Sequence, residues 1–388
     1  MRLNIVISYE NGSDLQSKFI PPPVRIPSYG LDADGGLRHV SKTMTDAEWM
    51  RIALQEARKG VGKTAPNPPV GAVIVKNGEL LGRGWHHGAG MPHAEVEAMR
   101  AAVEAHGARA VNGATAYVTM EPCSTVGRTP ACTSGLIQAG ISRVVYACQD
   151  PDPRHAGAAD GILRHAGIEV VCGVLEDACE EILRPFFKVQ RTGLPWVIWK
   201  CAMSLDGKIT RPAGEGQWLS GEASRADVQK LRSEVDAILT SGETVRRDLP
   251  ALTLRIPELL EGREQPWRVI CTNHPDTLPI RAPLFCDEAK HRTLVKSPEN
   301  LATLLRDLVR EQGVLSVMIE AGGKFSAAML RAGLVDEAVI YYAPILCGET
   351  VPALAGEAFP HSLELANVHS EKFGNDIRLR GLLVKQTR

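Results

Sequence analysis

One imidazole and two thiols on three separate stretches limit what this chain can fold into: His93, with Glu95 two residues on, Cys123 behind Pro122, and Cys132. Zn²⁺ takes such nitrogen and sulfur donors in tetrahedral sites, and three protein ligands with a fourth position open distinguish a catalytic site from a structural one. The two thiolates balance the ion's double charge. A water in the fourth position is acidified towards neutral pH, and a carboxylate at Glu95 is placed to shuttle its protons. Any fold for this chain must therefore bring the three ligands to one point.

The local patterns offer a way to do so. Val70–Val75 and Leu80–Trp85 read as a hairpin around Lys76-Asn77-Gly78. A helix is expected over Pro92–Ala105, with Val96, Met99 and Val103 on one face. A strand follows at Thr115–Met120, then a helix at Pro130–Ala139 with Pro at its start and Gly140 beyond its end. Val144–Ala147 and Glu169–Val171 read as strands with a helical stretch around Gly161–His165 between them. This puts His93 and Glu95 at a helix start, Cys123 in the loop leaving a strand and Cys132 in a first helical turn, where the helix dipole favours a thiolate. The β-α alternation implies a three-layer α/β domain over residues 45–190, opened by a helical pattern at Trp49–Arg58 with Thr45 or Asp46 as N-cap.

Arg191–Pro195 reads as a linker, and a second α/β unit is expected over 196–388. Its strands are read at Trp196–Lys200, Ala237–Thr240, Arg268–Cys271, Val314–Ile319 and Ala338–Ala343, its helices at Ser224–Ser233 and Pro298–Glu311. Residues 1–44, with Pro21-Pro22-Pro23 and no periodicity, read as a mobile leader, or as a stretch ahead of a true start at Met44.

Composition narrows the partners. A net charge of -1 and 5% aromatic residues leave no basic, aromatic-lined channel for a nucleic-acid strand. Nine scattered cysteines suit a reducing compartment, and the absence of a membrane-length apolar run or signal-peptide core points to the cytoplasm.

The His-x-Glu…Pro-Cys…Cys order is the pattern of zinc deaminases acting on nucleobases, with eight residues between the cysteines instead of two. Asn67, between Pro66 and Pro68, sits on a rigid turn that suits gripping a base edge, and His86 ends the hairpin facing the same region. The stretches His93–Ala98, Tyr117–Ser124, Gly127–Cys132 and Gln149–Pro153 resemble the bifunctional deaminase-reductases of riboflavin biosynthesis, and the likeness covers nearly everything after residue 44. The resemblance implies that Asn67, His86, Glu95 and Arg128 surround a diaminopyrimidinone ribose phosphate that loses an exocyclic amino group. Thr125 stands where the family carries His, so it can hydrogen-bond to substrate but not bear charge.

Lys200–Lys208 resembles the opening of that family's reductase domain, which has a dihydrofolate-reductase-like fold and takes NADPH. Trp218, Arg232, Thr244, Asp248, Leu252 and Arg255 fall on matching positions. Two arginines across a cleft suit a phosphate, and the turn Glu320–Lys324, with Gly322 and Gly323, suits an anion such as the cofactor pyrophosphate. It is not the Gly-x-Gly-x-x-Gly of a Rossmann domain. By resemblance, Gly216, Arg232, Leu252, Arg255 and Glu320 meet the substrate. Ala202, Trp218, Thr244, Asp248, Thr272, Gly322 and Gly323 meet the cofactor, with Asp248 handling a proton near the sugar or binding the cofactor ribose. Gly216, Leu249 and Cys271-Thr272 depart from the family's Ser, second acid and Asp-Ser, and the stretch between Ile270 and Leu301 is shorter. A deaminase with an altered or merely oligomerising second domain therefore stands as an alternative, as do a tRNA or nucleoside deaminase and a non-catalytic zinc scaffold. A homo-oligomer is expected from the resemblance alone. Gly62-Lys63-Thr64 lacks the upstream glycine of a phosphate loop; His87, His106, His155 and His165 read as surface residues. Arg246-Arg247 reads as a solvated turn or a cofactor 2′-phosphate contact.

Overall fold

The computed structural model describes residues 28–31, 37–40, 44–125, 130–152, 156–297 and 299–384. Within the stretch expected as a leader, β1 (Ser28–Leu31) and β2 (Leu37–Val40) pair antiparallel; the rest of residues 1–43 lies outside the described residues, as do Arg128 and His155.

Thr45 opens α1 (Asp46–Arg58) with a capping box: its hydroxyl accepts from Glu48 N–H, and Glu48 accepts from the Thr45 N–H in return. The helix thus starts a turn before the apolar pattern that announces it. β3 (Gly71–Lys76) and β4 (Glu79–Trp85) form the expected hairpin, closed by Asn77 and Gly78 at φ 52° and 75°. Two positive φ angles give the turn type whose twist matches paired strands.

α2 (Ala94–His106) lies across this hairpin, and its buried stripe is Ala94, Ala98 and Ala102. The expected face of Val96, Met99 and Val103 is corrected here: Val96 is exposed, and the other two only flank the core. Small residues face inward because the backbones nearly touch. A Cβ on Gly82 would lie 2.3 Å from the Ala98 carbonyl oxygen, and one on Gly84 2.4 Å from the Ala98 nitrogen.

β5 (Thr115–Met120), α3 (Cys132–Gln138), β6 (Arg143–Cys148), α4 (Ala158–His165) and β7 (Glu169–Val171) complete a sheet of order β4-β3-β5-β6-β7, with β5, β6 and β7 parallel. α2, α3 and α4 pack one face through Leu136 and Leu163; α1 covers the other, joined by α5 (Glu176–Thr192). Pro185 inside α5 argues against a helix by local rules, and no helix was expected there. Arg191 and Thr192 therefore belong to α5 and not to a linker; Gly193 ends the helix at φ 68°.

The chain then enters β8 (Trp196–Ser204), followed by α6 (Glu222–Ser233), β9 (Ala237–Ser241), α7 (Gly242–Asp248) and β10 (Trp267–Cys271). α7 holds Arg246 and Arg247, which are helical and not a turn. Next come α8 (Pro283–Cys286), β11 (Thr293–Lys296), α9 (Leu301–Gln312), β12 (Ser316–Ile319), α10 (Gly323–Arg331), β13 (Glu337–Ala343), β14 (Leu365–Phe373) and β15 (Asp376–Leu383). The sheet runs β11-β10-β9-β12-β8-β13-β15-β14, parallel through β13 and antiparallel at β15 and β14. Val228, Leu231 and Val245 of α6 and α7 pack one face; Leu304, Leu308, Met329 and Leu330 of α9 and α10 pack the other.

The halves carrying the two sheets are in contact through helices and loops. Lys188 near the end of α5 forms an ion pair with the buried Asp336 just ahead of β13. A Cβ on Gly62 would lie 2.2 Å from the Ser233 carbonyl oxygen. No helix among the described residues is long and apolar enough to cross a membrane.

Candidate active sites

His93 is the N-cap residue of α2, so its backbone is extended while the next residue is helical. Cys123 follows β5 and Cys132 is the first residue of α3, as the sequence places them. His93 Nδ1 lies 3.5 Å from Cys123 Sγ and 3.2 Å from Cys132 Sγ. All three ligand atoms fall within 4.8 Å of one another. Tetrahedral bonds of about 2.0–2.3 Å to zinc imply ligand separations of roughly 3.6–3.8 Å, so the triangle fits the ion with a small expansion.

Electrostatics favour the same occupant. Hydrogen bonds from Cys132 and His93 hold the Cys123 thiol well below its usual range, while Cys132, hydrogen-bonded to Cys123 and buried, is pushed far up. A dication between the two sulfurs would favour both as thiolates. The Cys132 N–H also donates to Cys123 Sγ at 3.2 Å. Glu95, in the first turn of α2, is 3% exposed, and burial pushes its carboxyl up. A buried carboxyl with raised proton affinity is better able to take up a proton than an exposed one. Among the described residues no fourth His, Cys, Asp or Glu closes the triangle.

A cleft of about 180 Å³ opens over this centre, lined by Asn67, His86, His93, Glu95 and, from α5, Phe186. His86 is 3% exposed. Its Nδ1 lies 3.0 Å from the Pro92 carbonyl and must carry the proton, so Nε2 accepts from the Asn67 amide at 2.9 Å. Burial lowers the His86 pKa and keeps the ring neutral. The pairing fixes the Asn67 side chain and leaves its carbonyl oxygen and second N–H without partners among the described residues. Thr125 lies beside Cys123 at a smaller hollow of the same rim. Glu121, not singled out from sequence, is buried and accepts from the N–H groups of Asp150, Gly157 and Ala159 at 3.0–3.1 Å. It ties the loop after β6 to the cysteine loop. A charged residue directly ahead of Pro122-Cys123 was the available signal.

In the second half, the expected residues collect at the carboxyl ends of parallel strands, where ligands of such sheets bind. Ala202 lies on β8, Gly216 and Trp218 in the loop after it, Thr244 and Asp248 on α7 after β9, Thr272 after β10, and Glu320, Gly322 and Gly323 after β12. Gly322 N–H donates to Thr244 Oγ1 at 3.2 Å. A Cβ on Gly323 would lie 2.5 Å from the Pro352 carbonyl oxygen, so only glycine lets the 345–353 loop seat there. That loop is also clasped by Asp206, which accepts from the N–H groups of Cys347 and Gly348 at 3.0 and 2.7 Å. The first N–H groups of α10 have no intrahelical partner, which suits a cofactor phosphate.

The two arginines expected to meet a phosphate differ in their surroundings. Arg232 donates twice to Glu320, at 2.7 and 3.1 Å, and once to the Thr253 carbonyl at 2.9 Å. Three of its five N–H donors are thereby used. Burial pushes Glu320 up, but Arg232 and Lys200 outweigh it and hold the carboxyl at about 2. Arg255 is exposed, and its guanidinium has no hydrogen-bond partner among the described residues. Arg225, which sequence reasoning missed, lies over the exposed Trp218 ring at 5.2 Å. Leu252 is buried at φ 52°, held by the neighbouring Ala251 carbonyl, which accepts from the fully buried Arg268. Asp248 ends α7 in an exposed position among Arg247 and Glu243 of its own helix.

Comparison with known proteins covers both halves. Residues 43–148 match the family model for the zinc-binding region of cytidine and deoxycytidylate deaminases, and residues 195–379 the RibD C-terminal domain. The riboflavin biosynthesis protein RibD of Haemophilus influenzae is 40% identical over 365 residues, 86% of this chain and 96% of its own length. The Escherichia coli K12 protein of the same name is 40% identical over 359 residues, 85% of this chain and 95% of its own. Among solved structures, Acinetobacter baumannii RibD superposes with a TM-score of 0.78 at 38% identity, covering 88% of this chain and 99% of that one. A Thermotoga maritima protein described as a diaminohydroxyphosphoribosylaminopyrimidine deaminase and 5-amino-6-(5-phosphoribosylamino)uracil reductase gives 0.77 at 29% identity, covering 87% and 99%.

Proposed function

The chain belongs to the RibD family of riboflavin biosynthesis proteins, and from that premise we propose that it performs two successive steps on one pyrimidine. The first is hydrolytic deamination of 2,5-diamino-6-(5-phosphoribosylamino)pyrimidin-4-one: water enters at the amine-bearing ring carbon and ammonia leaves. The second is NADPH-dependent reduction of the ribosyl chain to ribityl. Residues 45–190 would carry the first step and 196–388 the second. The observation that carries this reading is the His93–Cys123–Cys132 triangle at the floor of a cleft with the buried Glu95 beside it.

His93, Cys123 and Cys132 would hold Zn²⁺, whose chemistry is to acidify a water and orient it at the ring. Glu95 takes the water's proton and passes it to the departing amine; burial, which raises its proton affinity, suits both halves of that transfer. Asn67, with its free carbonyl oxygen and N–H, reads the edge of the pyrimidine, and neutral His86 keeps that amide turned the right way. Thr125 and Arg128 would contact the ribose phosphate side.

In the second half, NADPH supplies hydride when bound. Arg255 would grip the substrate phosphate, and Glu320 with Arg232 forms the fixed wall beside it. Leu252 and Gly216 would line the substrate. Ala202, Trp218, Thr244, Thr272, Gly322 and Gly323 would line the cofactor, with Asp248 at its ribose or at the sugar carbon. All nine cysteines are unpaired, which supports a reducing cytoplasmic setting; the working unit would be a homo-oligomer.

The test is one assay with two readouts on the diaminopyrimidinone ribose phosphate: ammonia release and NADPH oxidation. Both signals are expected, in that order. Ammonia without NADPH oxidation would reduce the proposal to a deaminase with an altered second domain, and neither signal in zinc-loaded protein would overturn it.

A further inference from the structure

We propose that Phe186 forms the stacking wall of the deaminase cleft, laying its ring on the face of the pyrimidine; the inference rests on the deaminase reading above and adds a residue to it. Neighbouring residues of an α-helix point about 100° apart. In α5 this sends Phe187 into the core at 5% exposure and leaves Phe186 half-buried along the cleft. The two rings are 6.4 Å apart at 55°, so Phe186 is not consumed by stacking flat on its neighbour.

The rest of the cleft explains what Phe186 would supply. Asn67 offers an amide edge, Glu95 a carboxyl and the metal ligands a reaction centre, all suited to the rim of a heterocycle. The two imidazoles of the lining are engaged elsewhere, His86 by Asn67 and the Pro92 carbonyl and His93 by the two cysteines, and the other groups have no ring face to offer. Phe186 is the one Phe, Tyr or Trp among the described residues lining the cleft. Base-on-aromatic stacking contributes enough that removing the ring weakens binding roughly tenfold or more.

The position of the ring is set from both ends of α5. The Glu176 carbonyl accepts from Cys148 Sγ of β6 at 3.5 Å, and Lys188, two residues beyond Phe186, is paired with Asp336 of the second half. The deaminase cleft thus takes one wall from the element that seats the two halves against each other.

The test compares Phe186→Ala, Phe186→Leu and Phe186→Tyr in the full-length zinc-loaded protein. Alanine and leucine are expected to raise the KM for ammonia release about tenfold or more with little change in kcat, and tyrosine to stay near wild type. Zinc content and reduction of the deaminated pyrimidine are expected unchanged, which separates the effect from misfolding. A wild-type KM in Phe186→Ala, or leucine matching tyrosine, would overturn the inference. Binding of the diamino compound itself, followed by calorimetry beside the ammonia assay, is the second readout. If the wild type binds it without releasing ammonia, the deaminase reading fails. Stacking then stands or falls on whether Phe186→Ala weakens that binding.

Discussion

Asn67 is a hydrogen-bond donor to His86, and only because His86 has turned its own N–H to the carbonyl of Pro92. The orientation of a residue that faces the cleft is therefore set by the protonation state of a buried ring behind it. Protonating His86 would put a hydrogen on Nε2, facing the Asn67 amide. A histidine whose folded pKa is depressed favours the folded state above its unfolded pKa of about 6.5, and that contribution is lost as pH falls below it. In the folded enzyme the ring protonates only below its lowered pKa, so we expect the KM for ammonia release to hold through about pH 6.5 and to rise only on further acidification, and His86→Gln to flatten this limb. A pH series of initial rates checks both.

Glu95 is not one of the three candidate metal ligands, so its removal should separate chemistry from metal loading. Glu95→Gln is expected to lower kcat for ammonia release by about 10²–10⁴-fold while zinc per chain stays at the wild-type value. Metal analysis beside the ammonia assay decides it; lost zinc would move Glu95 from proton transfer to architecture.

Stripping the metal should silence one half only. Dialysis against a chelator is expected to abolish ammonia release while reduction of the already deaminated pyrimidine continues, because the three ligands all lie before β6 and the reductase residues after β8 begins. Loss of both rates would mean that the metal also supports the second sheet.

Arg232 and Arg255 should behave unlike each other despite sharing a charge. Arg255→Ala is expected to raise the KM of the reduction about tenfold or more and leave the fold intact, since charged hydrogen bonds contribute about 1.5–3 kcal/mol. Arg232→Ala leaves the buried Glu320 with only Lys200, so it should lower stability by about 3–5 kcal/mol. Denaturation midpoints beside KM values for both variants make the comparison.

Gly82→Ala tests the contact that aims His93. Its new methyl would press on the Ala98 carbonyl, a backbone atom that cannot swing away. Overpacking of this kind costs about 1–3 kcal/mol, and the loss should appear both in thermal unfolding and as weaker zinc retention.

Much of this was legible in the chain. The ligand triangle was readable because each member sits at an element boundary that Pro, Gly or a cap residue announces. The alternation of apolar runs gave the layers of both halves. Other features were hidden for physical reasons. α5 escaped because Pro185 interrupts it, yet burial of Cys179, Leu183 and Phe187 holds the helix together across that break. β14 escaped because its side chains are mostly exposed and polar; it is a strand by virtue of its ladder to β15. The stripe on α2 was misplaced because bulk was taken as the mark of burial, whereas glycines across from it admit only alanine. The ion pair of Arg232 with Glu320 was hidden because it joins residues 88 apart in sequence, a closeness no local pattern reveals.

The ion pair between Lys188 and Asp336 changes what it means to cut this protein in two. A separation at Gly193 looks natural, since the first sheet is complete before it and the second begins after it. It would nevertheless strip a nearly inaccessible carboxylate of its cation and leave the tail of a helix with nothing to rest against. Independent production of either half would therefore call for a surface redesign at that seam, with neutral residues at both positions as the starting point.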